Sequence, residues 1–358
     1  MQRQLSFRDS EEGVSPIIGT VLILAIMVTI TGTMLAWGIP QIQESEAYAI
    51  YTSSQNNLLN FDADLDQVLL QGEGSSRTST VSLSAGTLVH REDSTKLDEI
   101  RYYYTTVPWF DPEIVGVKAG SESFAMKDNN GVVSEFRVTL TYPDNDGDGV
   151  PDEPSWTGTS ELIVSGFPPM VHGTKATYTS TDNSTLIGGF LIYGVDSLSY
   201  SYSSVTGAYK MRMFNGAMVA KEPGSKEFFT SANPLIRHTG TSSSYGSLTV
   251  YQTNYTTPTG SKAVQAGNYN FQARNQGGTD NSFNIYSLRM AFEGDGVTAL
   301  RVYYLNYWGF SARQFDFNQN DSTTAANMGF EKDIVYSQDT AFDFRVLERT
   351  INVEFGLR

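Results

Sequence analysis

The residues best placed to do chemistry are the aspartates of PDNDGDGVPDEPS, residues 143 to 155. Asp144, Asp146 and Asp148 fall at loop positions 1, 3 and 5, Gly149 at 6, the Val150 carbonyl at 7 and Asp152 at 9. Alternate carboxylates converge on one hard cation when a glycine permits the sharp turn between them, which is the chemistry of a Ca2+ loop. The twelfth position is Ser155 instead of a bidentate glutamate. One strong donor is therefore missing, and the expected affinity is that of extracellular modules, on the order of 10⁻⁴ to 10⁻³ M. The expected role is structural: a bound ion would neutralise crowded carboxylates and pin the connection between EFRVTLTY and ELIVSGF. The other reading of the same residues is an acidic, solvated turn.

Catalytic constellations are not apparent in the sequence. His90, His172 and His238 are scattered, without H-E-x-x-H spacing, and there is no G-x-S-x-G elbow or phosphate-cradling glycine loop. Two carboxylates from distant strands would suffice for a glycosidase, but the expectation is a protein that is not an enzyme. A net charge of -15 argues against nucleic acid as a partner, because phosphate binding needs a basic footprint. Zero cysteines rule out disulfides and thiolate chemistry, so stability must come from core size, metals or assembly. Three N-x-S/T sequons, at Asn183, Asn254 and Asn320, lie in polar stretches that read as turns and are candidate glycan acceptors on a translocated chain. The short D-x-D-x-D-G run resembles the calcium loops of secreted thrombospondin-type and dockerin-like repeats.

The element that decides where such chemistry takes place is near the start of the chain. Residues 13 to 43 carry no charged side chain, and Ile17 to Ile39 alone supplies the roughly 20 apolar residues that cross a bilayer core. The run continues past Trp37, Gly38 and Pro40 without an A-x-A cleavage site, which favours a retained helix over a secretory signal. Ser15 followed by Pro16 is a helix-start pair, so the helix is expected from Pro16. Ala25, Thr29, Gly32, Thr33 and Ala36 recur at spacings of three and four, a small-residue stripe that would let helices approach closely; equally, such residues are common in membrane helices. Trp37 suits an interfacial belt, and Gly38 with Pro40 predicts a kink or break where the chain leaves the membrane. Residues 41–72 then read as an amphipathic stalk helix. Tyr51, Leu58 and Leu65 stand seven apart beside Phe61 and Val68. That stripe is expected to pack on the head, the alternative being a seam between subunits; Gly72 and Gly74 end it.

EEGVSPIIGTVLILAIMVTI, within residues 10 to 42, resembles the N-terminal signature of archaeal type IV pilins and pilin-like surface proteins, where a short polar leader precedes a Ser-Pro pair, a nearby glycine and a long apolar helix. The resemblance implies a leader at 1–13, cut between Gly13 and Val14 by a prepilin peptidase, and a transmembrane or filament-core helix at 14–40. It further implies like subunits bundled through that helix, an assembly ATPase and a membrane platform as partners, and adhesion as a common role. The leader departs from the usual pattern by balancing Arg3 and Arg8 with Asp9, Glu11 and Glu12. The fifth residue after the cut is Ile18, where bacterial pilins carry glutamate and archaeal relatives commonly do not.

The rest of the chain alternates apolar and polar residues between turn signals, from STVSLSAGTLVH through LRVYYLNYW, DFRVLE and TINVEF, with 20 Tyr and 20 Phe suited to half-buried sheets. The expected fold is mainly β: a long N-terminal helix followed by an antiparallel, β-sandwich-like ectodomain. A boundary is expected in the Pro- and Thr/Ser-rich stretch 166 to 184, dividing a first β region (73–168, with the calcium loop) from a second (169–358). Asn215-Gly216 predicts a tight hairpin, and MRMFNGAMVAKEPG resembles a strand-turn-strand of archaeal pilin-like heads. The expected function is a cell-surface subunit of a type IV pilus-like filament with an outer β domain. The alternative, favoured by the size of that domain, is a single-pass, membrane-anchored ectodomain that never polymerises and acts as an envelope or ligand-binding module.

Overall fold

A computed structural model describes residues 16–91, 98–107, 110–117, 123–128, 133–141, 148–150, 174–180, 185–241, 244–258, 263–294, 296–300, 303, 313–315 and 333–357. Helix α1 (Pro16–Gln71) comes first, starting at the expected proline. It is followed by β1 (Ser76–Arg91), β2 (Glu99–Thr105), β3 (Phe110–Val117), β4 (Ser123–Asp128), β5 (Val133–Thr141), β6 (Thr174–Ser180), β7 (Leu186–Gly194), β8 (Ser197–Ser204) and β9 (Gly207–Phe214). Then come β10 (Ala217–Lys221), β11 (Phe229–Ala232), β12 (Ile236–Thr241), β13 (Ser244–Thr256), β14 (Ala263–Asn275), β15 (Asp280–Glu293), β16 (Arg313–Phe315) and β17 (Asp333–Leu357). The fold is mainly β with one long N-terminal helix, as its sequence pattern requires.

Strand pairing runs β12–β13–β17–β14–β1–β8–β9–β10–β11 along one arm, with β13 parallel to β17 and every other pair antiparallel. A second arm leaves β17 through β15 and continues β2–β7–β6–β5–β4–β3. The 25-residue β17 joins the two: Phe342–Leu347 pair with β15, whereas Ile351–Leu357 pair with β14. The chain between β14 and β15 closes the corner, since Gln276 N–H donates to the Thr350 carbonyl and Thr350 N–H to the Gly277 carbonyl, both at 2.9 Å. β1 and β2 pair with β7, β8, β14 and β15, so the expected first and second β regions share one strand network.

Two apolar clusters separate three layers. One gathers Tyr102 and Tyr104 of β2, Leu191 and Tyr193 of β7, Phe214 and Val219 of β9 and β10, Val250 of β13, Leu288 and Met290 of β15, and Phe344 of β17. It draws on both arms and is the sandwich core. The other sets Tyr51, Leu58, Phe61, Leu65 and Val68 of α1 against Val81, Tyr200, Met211, Met218, Phe271 and Val353 on the opposite face of the first arm. The expected apolar stripe of the stalk is thus spent on the head. Six large side chains of α1, Tyr51, Leu58, Phe61, Leu65, Val68 and Leu69, are buried there at roughly 1.5–3 kcal/mol each, which holds this half of the helix on the sheet.

Three sequence expectations are corrected. Gly38 and Pro40 predict a kink or break; the break is not found, since α1 continues through Pro40 to Gln71. Proline removes one donor, and docking of residues 47–69 on the sheet holds the second half helical. The stretch expected to interrupt the strands contains β6, paired on both edges, because Thr and Tyr on alternate positions satisfy a sheet as readily as a linker. LRVYYLNYW reads as a strand; of its nine residues Leu300 and Tyr303 alone are described, and both are helical, Leu300 closing a turn from Thr298, while the others lie outside the described residues. Val297, Ala299 and Leu300 are all buried, and a tight turn, with Leu300 N–H donating to the Val297 carbonyl at 3.0 Å, buries neighbours that a strand would place on opposite faces.

Candidate membrane and assembly interface

Among the described residues, nothing buries the apolar half of α1. From Ile17 to Ile42 its large side chains project outward, Trp37 the most exposed of them at 77%. A soluble protein does not leave a patch of this size in water. Among the described residues this is one helix long and apolar enough to cross a membrane. At 1.5 Å per residue the exposed stretch is about 39 Å long, more than the ~30 Å of a hydrocarbon core.

Three of its four threonine hydroxyls bond to the helix's own backbone. Thr29 Oγ1 donates to the Ala25 carbonyl and Thr33 Oγ1 to the Thr29 carbonyl, both at 2.7 Å, and Thr20 Oγ1 donates to the Ile17 carbonyl at 2.9 Å. Those hydroxyls enter a dry environment already paired. Ala25, Thr29, Gly32, Thr33 and Ala36 are all exposed, and a Cβ added at Gly32 would meet no other atom within 4 Å. The stripe is open to a partner of any kind, lipid or helix. Gly13 and Val14 lie outside the described residues.

Below the membrane-length stretch the helix becomes a clasp. Asn57 Nδ2 donates to the Ser82 carbonyl at 2.8 Å, Asp64 accepts from Arg77 at 3.0 Å and from Ser79 Oγ at 2.6 Å, and Asn275 Nδ2 donates to the Val68 carbonyl at 3.1 Å. Within the apolar stripe sits Asp62, 2% exposed, four residues from Asp66. Burial, and then Asp66, pushes the Asp62 carboxyl well above the usual carboxylate range; burial raises Asp66 to about 7. Tyr255 of β13 is buried beside them, and burial, then Asp62, raises its phenol. Sequence reasoning passed over this acid pair, although a carboxylate four residues after Leu58 and three before Leu65, on the stripe itself, was the available signal. Farther away, Arg212 and Asp98 form a buried ion pair that ties β9 to the start of β2.

The expected calcium loop is described only at Asp148, Gly149 and Val150; Asp144, Asp146 and Asp152 lie outside the described residues. The Val150 N–H donates to Asp148 Oδ1 at 2.8 Å, and Gly149 has φ +84. This is the tight, glycine-dependent turn that the sixth position of such a loop requires. Asn183 and Asn320 also lie outside the described residues. Asn254 corrects the sequence expectation of a turn: it is half-buried within β13, in register with Thr350 of β17. The alternation of TVYQTNY, with tyrosines facing the helix side, draws it into the strand. In comparisons with known proteins, no family model, no curated protein and no solved structure matches this chain.

Proposed function

We propose that this chain is a pilin-like cell-surface protein, held in a membrane by the outer half of α1 until that half enters a filament core, with the β sandwich displayed outside. One observation carries the reading: a single unbroken helix is bare and apolar over residues 17–42 and clamped to the sandwich over residues 47–69. Force or position imposed on the apolar half is transmitted directly to the head, as a subunit that is extracted from a bilayer and packed by its helix needs. The Ser15-Pro16 start and the small-residue stripe support the same reading. By the resemblance, cleavage between Gly13 and Val14 would precede assembly, and an assembly ATPase and membrane platform would act on the product. The D-x-D-x-D-G loop would hold a structural Ca2+ through Asp144, Asp146, Asp148, the Val150 carbonyl and Asp152.

N-terminal sequencing of mature protein from washed membranes and from sheared surface filaments tests this. Val14 at the start of both fractions is the expected result. Mature protein that begins after Pro40 and remains in the soluble fraction would sink the proposal. For the ion, calcium should raise the melting temperature of the parent protein and leave Asp146→Ala unmoved.

A further inference from the structure

Beside the corner of β17, side chains from separate strands converge on one carboxamide. Lys175 of β6 donates from Nζ to Asn281 Oδ1 of β15 at 2.5 Å, and Asn281 Nδ2 donates to Glu348 Oε1 of β17 at 2.7 Å. Glu348 Oε1 lies 3.9 Å from Lys175 Nζ. The Tyr193 hydroxyl of β7 donates to the same Glu348 oxygen at 2.9 Å and accepts from Asn281 Nδ2 at 3.2 Å. No ladder joins β6 to β15, because β7 and β2 stand between them along the arm. The contact is made by side chains alone.

The chemistry of the donors fixes how the amide faces. Lysine can only donate and a carboxylate can only accept, so Asn281 must turn its oxygen to Lys175 and its nitrogen to Glu348. The amide carbon sits one C=O bond, about 1.2 Å, behind that oxygen. It is therefore within about 4 Å of Nζ, close to the ~3–3.5 Å of a near-attack arrangement. An amine nucleophile, an acyl carbon and a carboxylate beside the departing nitrogen are thus in mutual reach. The surroundings are partly dry: the Glu348 side chain is 17% exposed, and Tyr193 is part of the sandwich core, edge-on to Tyr102 at 5.9 Å. Burial, and then the charge of Glu348, raises the Tyr193 phenol well above its ordinary value, which keeps it a donor to that carboxylate. Asp280, the acid next to Asn281 in the chain, is engaged by Arg349 Nη1 at 2.6 Å, and Glu348 is the carboxylate at the amide.

We propose that Lys175 and Asn281 join in an intramolecular isopeptide bond, with Glu348 carrying the proton. Glu348 takes a proton from the Lys175 ammonium, and the neutral Nζ attacks Asn281 Cγ. Glu348 then returns the proton to Nδ2, the Cγ–Nδ2 bond breaks, and the nitrogen departs with the proton that Nζ sheds. One Nζ–Cγ bond forms, one Cγ–Nδ2 bond breaks, and nothing is oxidised or reduced. Ammonium and carboxamide become a secondary amide and a free ammonium ion, with no co-reactant. A chain without cysteine has no disulfide with which to staple strands. This bond would tie β6 to β15 across a separation of 106 residues, and a cross-link closing so long a loop restricts the unfolded chain strongly.

The test is mass spectrometry of the purified full chain, intact and after trypsin. The expected parent mass is one ammonia below that of the same chain carrying Lys175→Met, after allowance for the substitution, and its digest contains a branched peptide holding both Lys175 and Asn281. Glu348→Gln keeps the size and an acceptor oxygen but cannot carry the proton, so its two peptides should separate at full mass. Cooperative unfolding of that variant in urea would show that the missing bond is not a missing fold. Parent protein at full mass with the two peptides separate overturns the proposal, whatever the variants do, and so does a linked pair recovered from Glu348→Gln. The readout needs neither membrane nor filament, so it stands apart from the anchoring reading.

Discussion

Gly216 occupies a turn that is locked from three directions. Asn215 and Gly216 have φ of 52 and 67, the pair of positive values that a two-residue hairpin between β9 and β10 demands. Asn215 Nδ2 donates to Gln252 Oε1, and Asn215 Oδ1 accepts from Thr253 N–H, each at 2.8 Å, which fixes the turn on β13. A Cβ at Gly216 would stand 2.6 Å from Asp66 Oδ1 and 2.7 Å from Leu235 Cβ. Gly216→Ala should therefore destabilise the head by about 2 kcal/mol or more, from the left-handed backbone and the collision together, read as a lowered midpoint in urea. The neighbouring acid pair makes a second prediction. Asp62 and Asp66 hold their protons more tightly folded than unfolded, so stability must fall as pH rises from the ordinary carboxylate range through the folded value, about 7 for Asp66, and remain low above it. The urea midpoint should be higher at pH 5 than at pH 8. In the double variant Asp62→Asn and Asp66→Asn most of that slope should vanish, whereas a slope equal to the parent's would assign it to other groups. The hairpin was readable from Asn-Gly alone; the place of Asp62 on the apolar stripe was readable too, but not its raised protonation, because the burial that causes it comes from a sheet far along the chain.

At the scale of elements, the helix and its stripe carry the strongest local pattern and are found where periodicity puts them. Leu58 is fully buried on the sheet face together with Phe61 and Leu65. Leu58→Ala should cost about 2–5 kcal/mol through lost transfer energy and a cavity, measured by chemical denaturation in detergent, while Leu24→Ala, on the exposed half, should cost close to nothing. β17 shows what a sequence pattern hides. DFRVLE and TINVEF read as two strands because the apolar alternation breaks between them, but the backbone passes straight through. The break marks a change of covering layer: Phe342, Phe344 and Val346 face the sandwich core, whereas Ile351 and Val353 face α1. It also marks a change of partner from β15 to β14. Alternation reports which face is dry, and that depends on neighbours that periodicity cannot name. The glycine at the β1 irregularity is similar. Gly86 has φ +85 and a Cβ there would strike the Ser201 carbonyl at 2.6 Å, so the register shift between Leu83 and Thr87 is set by β8, not by local preference.

For the whole molecule, the question is what covers the bare half of α1. A monomer anchored in lipid and a subunit in a filament both satisfy its apolar surface, and they make different demands on Gly32. In lipid, an added side chain at Gly32 meets only acyl chains, since beyond the helix's own backbone no described atom lies within 4 Å of a Cβ there. In a helix bundle the same position, one turn from Thr29 and Ala36 and beside Thr33, is where backbones approach most closely, and a leucine there forces neighbours apart. Gly32→Leu should therefore leave membrane fractionation and the stability of the head unchanged while abolishing or disordering filaments seen by electron microscopy. Because leucine is also the better helix former, any loss cannot be blamed on a weakened helix. Normal filaments from Gly32→Leu and from Thr29→Leu alike would remove the small-residue stripe from the assembly interface, and complete absence of filaments in the parent would leave α1 as a lipid anchor for a surface-displayed sandwich.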